Sequence, residues 1–111
     1  MGVQFNKYLS GSQIYCCKNC RTHLAFDHDV ESRDFTGVLG KAYLITYLVN
    51  VTFGPLETRP MMTGEFQVRD VACRFCSKNV GWIYVESFKS SEKYKVGKYI
   101  LETRAIDTIR G

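Results

Sequence analysis

Long apolar runs and an apolar N-terminal segment are missing from this sequence of 111 residues. The longest apolar stretch, AYLITYLVNVTF from Ala42 to Phe53, contains three polar residues and is followed by a Gly-Pro pair. It is too short and too polar to span a membrane. The first ten residues, MGVQFNKYLS, lack the apolar core of a secretory signal. We therefore expect a protein of the nucleus or cytoplasm, without membrane attachment.

Histidine is also scarce: the chain has two, His23 and His28. Both lie near the N-terminal cysteines, which leaves little material for a Ser-His-Asp or Cys-His-Asp catalytic triad. His23 follows Cys20 by three residues, and a hydrogen-bonding core histidine is favoured there over a metal ligand. His28 lies in an acidic stretch, where we expect it to be solvated. The sequence thus predicts a protein that is not an enzyme.

Charge of one sign is not concentrated strongly anywhere in the chain. The net charge is +4, from fifteen basic and eleven acidic residues. Lys93, Lys95 and Lys98 lie close together, interleaved with Tyr94 and Tyr99. A solvated lysine-rich face is the favoured interpretation, because a nucleic-acid footprint is normally denser. An RNA- or DNA-binding zinc domain that uses this face is the alternative.

Cysteine, by contrast, is well represented and regularly spaced. Two Cys-x-x-Cys pairs, Cys17 with Cys20 and Cys73 with Cys76, are separated by 52 residues. Each pair brings two thiolates within reach of one tight turn, and four thiolates form a closed tetrahedral site for structural zinc. Two disulfides or four unrelated buried thiols are the alternatives, and a reducing compartment favours the metal. One ion then joins distant parts of a single domain, residues 1–111.

Cys16 stands beside the first pair and has two interpretations. As a reactive thiol it needs a base or a lowered pKa, and the sequence contains no recognisable partner for it. As the neighbour of a ligand on a strand, it faces the opposite side. A small buried or half-exposed thiol is therefore the favoured interpretation.

Alternating patterns predict an all-β chain with one minor helical turn. Residues 42–53 predict two strands joined by a bulge near Tyr47, or one long bent strand. Residues 66–71 and 82–88 predict a hairpin with the second cysteine pair at its tip, and residues 98–104 predict a closing strand. The polar stretch 27–40 predicts a loop with a short strand near Phe35. Residues 90–95 predict the helical turn, which Gly97 ends.

The residues around the cysteines resemble a known family. The pattern C-x2-C, 52 residues, C-x2-C-x4-GW ends at Gly81 and Trp82. Further matching segments are HLA at 23–25, GKAYL at 40–44, VNV at 49–51, MTG at 62–64, VRD at 68–70 and SSEKYKVGKYILE at 90–102. Over residues 8–104, the chain resembles the yippee-like zinc-binding proteins.

This resemblance implies a fold related to the cereblon thalidomide-binding domain and the Mis18 domain. In that fold, two antiparallel sheets meet at a steep angle, and one zinc ion bound by four cysteines pins them at the apex. It also implies a nuclear or cytoplasmic protein linked with cell proliferation, the spindle and ubiquitin-ligase assemblies, for which no enzymatic reaction is established. The expected function is a non-enzymatic binding module, an adaptor or regulatory subunit with protein partners.

Trp82 is the residue most suggestive of a contact site. It is either a core residue or the wall of a groove for a peptide or small ligand. We expect the partner residues of such a groove to be Tyr84, Phe66 and Tyr43. Gly81, beside Trp82, predicts a close backbone approach.

Two departures from the family pattern affect this groove. Phe66 stands where the segment T-G-x-H of the family has a histidine. Cereblon-type domains build a ligand cage from three tryptophans, and of these the chain keeps Trp82, with Val68 and Met62 at the other two places. The sequence therefore argues against a cereblon-like cyclic-imide pocket and leaves a shallower apolar groove open as a small-ligand site.

Overall fold

A computed structural model of the protein describes residues 13–110. Residues 1–12, with the segment MGVQFNKYLS, and residue 111 lie outside the described part. Within residues 13–110 the chain forms two antiparallel sheets and three short 3-10 helices, which confirms the predicted all-β class. The strands are β1 (Ile14–Cys17), β2 (His23–Phe26), β3 (Val30–Thr36), β4 (Lys41–Ile45), β5 (Val51–Phe53), β6 (Glu57–Met61), β7 (Gly64–Cys73), β8 (Asn79–Ser87), β9 (Tyr99–Glu102) and β10 (Ile106–Ile109).

The smaller sheet contains the first cysteine pair. Its central strand β1 pairs with β2 on one side and β10 on the other. All four residues of β1, IYCC, are buried, as expected for a short strand covered on both faces. Cys17 ends this strand, so the cysteine pair lies where the chain turns back into β2.

The larger sheet contains the second cysteine pair and has the strand order β3-β4-β9-β8-β7-β5, with β6 also paired to β7. The predicted hairpin of β7 and β8 is present. A bulge near its tip leaves Val80 without a pairing partner between Gly81 and Asn79. The extra residue reverses the alternation of β8. Val80 therefore packs against one face of the sheet, whereas Trp82 and Tyr84 pack against the other.

The main core lies between the two sheets. Tyr15 and Leu24 from the smaller sheet pack with Ile45, Val71 and Leu101 from the larger one, and none of them is more than 4% exposed. Two of the predicted metal ligands, on β1 and β7, belong to this same cluster. The interface between the sheets is thus continuous with the cysteine site.

A polar network also joins the two sheets. The Tyr15 hydroxyl donates to the Asp27 carboxylate, and the Arg33 guanidinium donates to the Tyr15 oxygen at 3.0 Å and to Asp27 at 2.6 Å. Asp27 lies in the 3-10 helix Asp27–Asp29 and Arg33 in β3. The bonds from Tyr15 and Arg33 hold the pKa of Asp27 below its usual range. Burial and the bond to Asp27 raise the pKa of Tyr15 to about 12, so the neutral phenol is favoured.

Several sequence predictions need correction. Residues 27–40 are not mainly a loop, because β3 occupies seven of them; as an edge strand it carries few apolar residues. Residues 42–53 contain two strands, β4 and β5, but no bulge joins them, since β4 pairs with β3 and β9 whereas β5 pairs with β7. Between them Asn50 has a positive φ of 59°. Its side chain donates to the carbonyl of His23 at 2.8 Å.

Two strands, β6 and β10, were not predicted. Pro60 lies in β6, and proline argues against a strand unless the strand is at a sheet edge, as β6 is. β10, with the sequence IDTI, is too short to show a clear alternation. The predicted closing strand is confirmed as β9. The predicted helical turn is the 3-10 helix Ser90–Lys95, which has no side-chain cap.

The close backbone approach predicted at Gly81 is present. Gly81 on β8 is paired with Leu101 on β9. A Cβ atom added there would lie 1.7 Å from the carbonyl oxygen of Ile100, a backbone atom that cannot move without breaking the sheet. Only glycine therefore fits at this position.

We predict that Gly81→Ala lowers the free energy of unfolding by roughly 3 kcal/mol, because the methyl group forces β8 and β9 apart. Urea denaturation of the zinc-loaded protein measures this change. Gly54→Ala is the matched control, because the nearest atom to a Cβ there lies at 3.6 Å, an ordinary contact. Equal midpoints for Gly81→Ala and Gly54→Ala would contradict the close approach.

Candidate metal centre and aromatic pocket

Four cysteine sulfurs meet where the two sheets come together. The Sγ atoms of Cys17, Cys20, Cys73 and Cys76 all lie within 4.8 Å of one another. The Sγ atoms of Cys17 and Cys76 and those of Cys20 and Cys73 are each 3.5 Å apart, and these contacts join the two pairs to each other. Zinc–sulfur bonds of about 2.3 Å in a tetrahedron place the sulfurs about 3.8 Å apart. The four thiols therefore fit one zinc ion and are too far apart for disulfides.

The two cysteine pairs adopt the same turn. In each, the residue after the second cysteine has a positive φ, 69° at Arg21 and 67° at Ser77. The amide of that residue donates to the carbonyl of the first cysteine, at 2.8 Å for Cys17 and 2.9 Å for Cys73. The turn directs both side chains of a pair to the same side. Identical spacing thus produces identical geometry at both ends of the site.

Hydrogen bonds to the sulfurs help to balance their charge. Backbone amides of the turns approach Cys17 and Cys73, although burial still raises the pKa of Cys17 to about 12 and raises that of Cys73. At Cys76, burial is outweighed by hydrogen bonds, led by the Asn19 side chain, which lower the pKa to about 6. Asn19 belongs to the first turn and Cys76 to the second, so this bond also links the two turns. These donors are typical of a structural zinc site.

The neighbouring candidates lie outside the sulfur cluster. Cys16 is fully buried, and burial raises its pKa, which disfavours the nucleophilic thiolate. It lies opposite Asp107 in the sheet. His23 is half-buried at the start of β2. The cluster is therefore a set of four cysteines, as the spacing predicts.

A pocket of about 630 Å³ lies on the face of the larger sheet that is turned away from the zinc site. Trp82 and Tyr84 of β8 line it and are only 5% and 3% exposed. Phe35 of β3 and Met61 of β6 also line it. The 3-10 helix Ser90–Lys95, here called the strap, contributes further lining residues.

Lys95 of the strap is buried beneath this pocket, with 4% of its surface exposed. Its Nζ donates to Thr63 Oγ1 at 3.1 Å and pairs with Glu92 Oε1 at 2.7 Å. Four aromatic rings surround the ammonium group within 5.1–5.7 Å, in the geometry of cation–π contacts; they belong to Phe35, Phe66, Tyr84 and Tyr94.

Trp82 is both core and pocket wall. Its ring lies edge-on to Tyr84, with centroids 6.1 Å apart. Burial raises the pKa of Tyr84 to about 12, and the nearby Trp82 N–H partly opposes that rise. The indole nitrogen nevertheless has no hydrogen-bond partner of normal geometry among the described residues. A buried donor without an acceptor is uncommon in native proteins.

The predicted groove residues separate into two groups. Phe66 is fully buried and packs against Tyr84 at 4.8 Å, beneath the pocket rather than along it. Tyr43 does not join them: it packs in the core between the sheets, 5.7 Å from Tyr15. The reason is the alternation of side chains along β4. Ala42 and Leu44 lie on the pocket side of the sheet, and Tyr43 between them lies on the opposite side.

The predicted lysine-rich face is not present as such. Lys95 is buried, Lys93 pairs with Glu86 at 3.0 Å, and Lys98 pairs with Glu31 at 2.7 Å. Neither the burial of Lys95 nor the cage of four aromatic rings around it (Phe35, Phe66, Tyr84 and Tyr94) was predicted from the sequence. A glutamate three residues before a lysine, with a tyrosine between them, is the one local signal for it, and the aromatic partners come from distant strands.

No helix in the described part of the chain is long and apolar enough to cross a membrane.

We predict that Cys73→Ser abolishes both zinc binding and cooperative folding. Zinc contributes on the order of 10 kcal/mol to the folding of small zinc domains, which is comparable to the net stability of most domains, about 5–15 kcal/mol. Zinc stoichiometry and the near-ultraviolet circular dichroism of the purified protein measure the effect.

Cys16→Ser is the matched control, because Cys16 is equally buried and adjacent to a ligand but outside the cluster. It should retain one zinc per chain and a cooperative transition. Loss of zinc from both variants, or from neither, would contradict the assignment of ligands.

Comparisons with known proteins agree with this geometry. A family model described as Yippee zinc-binding/DNA-binding/Mis18, centromere assembly, matches residues 13–111. Protein yippee-like 3 of Homo sapiens is 48% identical over 99 residues, which cover 88% of this chain and 83% of that protein. Protein yippee of Drosophila melanogaster is 40% identical over 111 residues, which cover 100% and 92%. A yippee-like protein of Arabidopsis thaliana is 46% identical over 110 residues, which cover 98% and 84%.

A solved structure shares the fold. The crystal structure of the Mis18 "Yippee-like" domain superposes with a TM-score of 0.70, covering 91% of this chain and 98% of that one, at 11% sequence identity. The fold relationship to the Mis18 domain expected from the sequence is thereby confirmed. The chain belongs to the yippee family of zinc-binding proteins, and its four clustered cysteines hold one structural zinc ion.

Proposed function

We propose that this chain is a non-enzymatic protein-binding module, in which zinc holds the two sheets together and the pocket beside Trp82 contacts a partner. The observation that carries the proposal is an apolar rim around an open pocket. Met62, Val38 and Tyr94 line the pocket and are 99%, 80% and 51% exposed. Exposed apolar side chains grouped around a concave surface are typical of interaction sites.

The proposed cellular role is that of an adaptor or regulatory subunit. The yippee family is linked with proliferation, the spindle and ubiquitin-ligase assemblies, and the family description names centromere assembly. We place the protein in the nucleus or cytoplasm, where reduced thiols keep a four-cysteine site intact. The zinc has four protein ligands and no open position, which favours a structural role over Lewis-acid catalysis. The buried Cys16 favours the same conclusion.

We predict that Met62→Glu removes the partner protein from the purified complex without unfolding the module. Met62 is almost fully exposed, so a charge there costs little stability but opposes an apolar contact. Stoichiometric companions are measured by native purification of the tagged full chain, with zinc content and melting temperature recorded for each variant.

Phe88→Glu is the control, because Phe88 is an exposed aromatic residue, 59% accessible, that does not line the pocket. It should retain the companions. The pocket is not the contact surface if both variants retain them or if both lose them. Trp82→Ala is unsuitable here, because truncating a buried tryptophan costs roughly 3–5 kcal/mol of stability.

DNA binding is a second candidate, and a second surface favours it. A smaller pocket of about 290 Å³ beside the zinc site is lined by Lys18, Lys78 and Arg104. The family description also names DNA binding. These cations equally balance the negative charge of a zinc ion with four thiolate ligands, which is why the protein-binding role is ranked first.

For a DNA-binding role we predict that Lys18→Ala with Lys78→Ala reduces the slope of log K against log salt by about 2, one for each lost phosphate contact. Titration of labelled duplex at several salt concentrations gives the slope, and the Lys93→Ala variant should leave it unchanged. DNA binding is ruled out if the unaltered protein does not bind the duplex, or if the slope is the same for the unaltered protein, the double variant and Lys93→Ala.

A further inference from the structure

The aromatic cage around Lys95 has the composition of a ligand site. Rings that surround an ammonium group at this distance are the usual means by which proteins recognise alkylammonium ligands. Here Phe35 and Phe66 lie 5.1 Å from Nζ, Tyr84 lies at 5.6 Å and Tyr94 at 5.7 Å. They come from β3, β7, β8 and the strap. Four rings from four separate elements therefore converge on one cation.

The cation in this cage is supplied by the strap itself. Lys95 is the last residue of the 3-10 helix Ser90–Lys95, and its ammonium is completed by Glu92 at 2.7 Å and Thr63 at 3.1 Å. The cage also opens outward, because Phe35, Tyr84, Tyr94 and Lys95 line the pocket of about 630 Å³. A ligand in that pocket therefore lies directly beside the cation position.

Backbone hydrogen bonds anchor the strap to the larger sheet before and after the strap, and within it the Lys93 side chain donates to the Ser87 carbonyl and pairs with Glu86, each at 3.0 Å. Before it, the Phe88 amide donates to the Glu65 carbonyl at 3.2 Å. After it, Gly97 donates to the Tyr84 carbonyl at 2.8 Å. Between these points, the amides of Glu92 and Val96 donate to carbonyls three residues earlier in the chain, at 3.0 and 3.1 Å. Withdrawing Lys95 thus requires the loss of side-chain contacts but not of a strand from the sheet.

We propose that this cage is a cation-binding site that Lys95 fills in cis, and that an alkylammonium group, as on a lysine side chain of a partner segment, takes the same position when Lys95 is withdrawn. The inference rests on the proposed pocket as the contact surface and names the chemistry that the pocket selects. Glu92 remains as the counter-ion for the incoming cation. An anionic group at this position would face the electron-rich ring surfaces, and a neutral group would leave the Glu92 carboxylate without a counter-charge.

Chemical rescue tests the selectivity of the cage directly. Lys95→Ala removes the equivalent of n-propylammonium, so this small cation fits the space that the variant leaves. We expect the melting temperature of zinc-loaded Lys95→Ala to rise saturably with n-propylammonium chloride. Equal concentrations of 1-propanol or sodium chloride should have no such effect.

Lys93→Ala is the matched control, because Lys93 lies in the same strap but pairs with Glu86 outside the cage. Binding of n-propylammonium to Lys95→Ala should be at least about tenfold tighter than to Lys93→Ala, which corresponds to about 1.4 kcal/mol. Equal affinities for the two variants, or equal rescue by 1-propanol, would overturn the proposal.

A second measurement uses the unaltered protein and does not depend on the stability of a variant. Trp82 is the one tryptophan of the chain, so its indole N–H gives a single, assigned nuclear magnetic resonance signal at the pocket wall. We expect the peptide acetyl-Gly-Lys-Gly-amide to shift this signal and the amide signals of Tyr94 and Lys95. The same peptide with norleucine in place of lysine should not shift them.

Equal shifts with the lysine and norleucine peptides, or none with either, would contradict displacement of Lys95. The two proposals fail separately. If Met62→Glu loses the partner while both cation tests are negative, the pocket rim binds protein but the cage does not select a cation. If the cation tests succeed and no protein partner is found, the cage is a ligand site without the proposed adaptor role.

Discussion

Four zinc–thiolate bonds join the end of β1 to the end of β7, and the rest of the structure is arranged around that junction. Cys17 and Cys73 are also members of the core between the sheets, so the metal closes one end of the same interface that Tyr15, Leu24 and Val71 fill. The smaller sheet has three short strands and buries little surface on its own. It needs the ion and the Tyr15–Asp27–Arg33 network to remain attached to the larger sheet.

The two faces of the larger sheet have different roles. One stabilises the domain, and the other carries the proposed contact site. One face packs against the smaller sheet and ends in the zinc site. The other face carries Trp82, Tyr84 and Phe66, and among the described residues it is flanked by side chains of the sheet's own edge strands β3 and β6 and by the strap. Incomplete cover leaves the pocket, and the strap fills its deepest part with Lys95. A domain of this size can therefore hold a rigid metal centre on one side and an adaptable surface on the other.

The metal centre was predictable from the sequence, whereas the pocket was predicted only in part, through Trp82 and Tyr84. Two Cys-x-x-Cys pairs encode their own geometry, because each turn depends only on local residues such as Arg21 and Ser77. The hairpin and the helical turn were predictable for the same reason. Tyr43 was wrongly assigned to the groove, because the alternation of β4 does not show which of its faces packs in the core between the sheets and which lies at the pocket. Lys95 was misplaced because the four rings around it come from separate parts of the chain, and only the folded sheet brings them together.

Hydrogen exchange of the zinc-loaded and zinc-free protein, measured residue by residue at neutral pH, shows directly whether zinc holds the two sheets together. If zinc holds the two sheets together, its removal should release the protected amides of β1 and β2 together with those of β7 and β8, as one cooperative unit. If β7 and β8 stay protected while only the residues around the cysteines exchange faster, the sheets stay together without the ion and zinc is not what joins them.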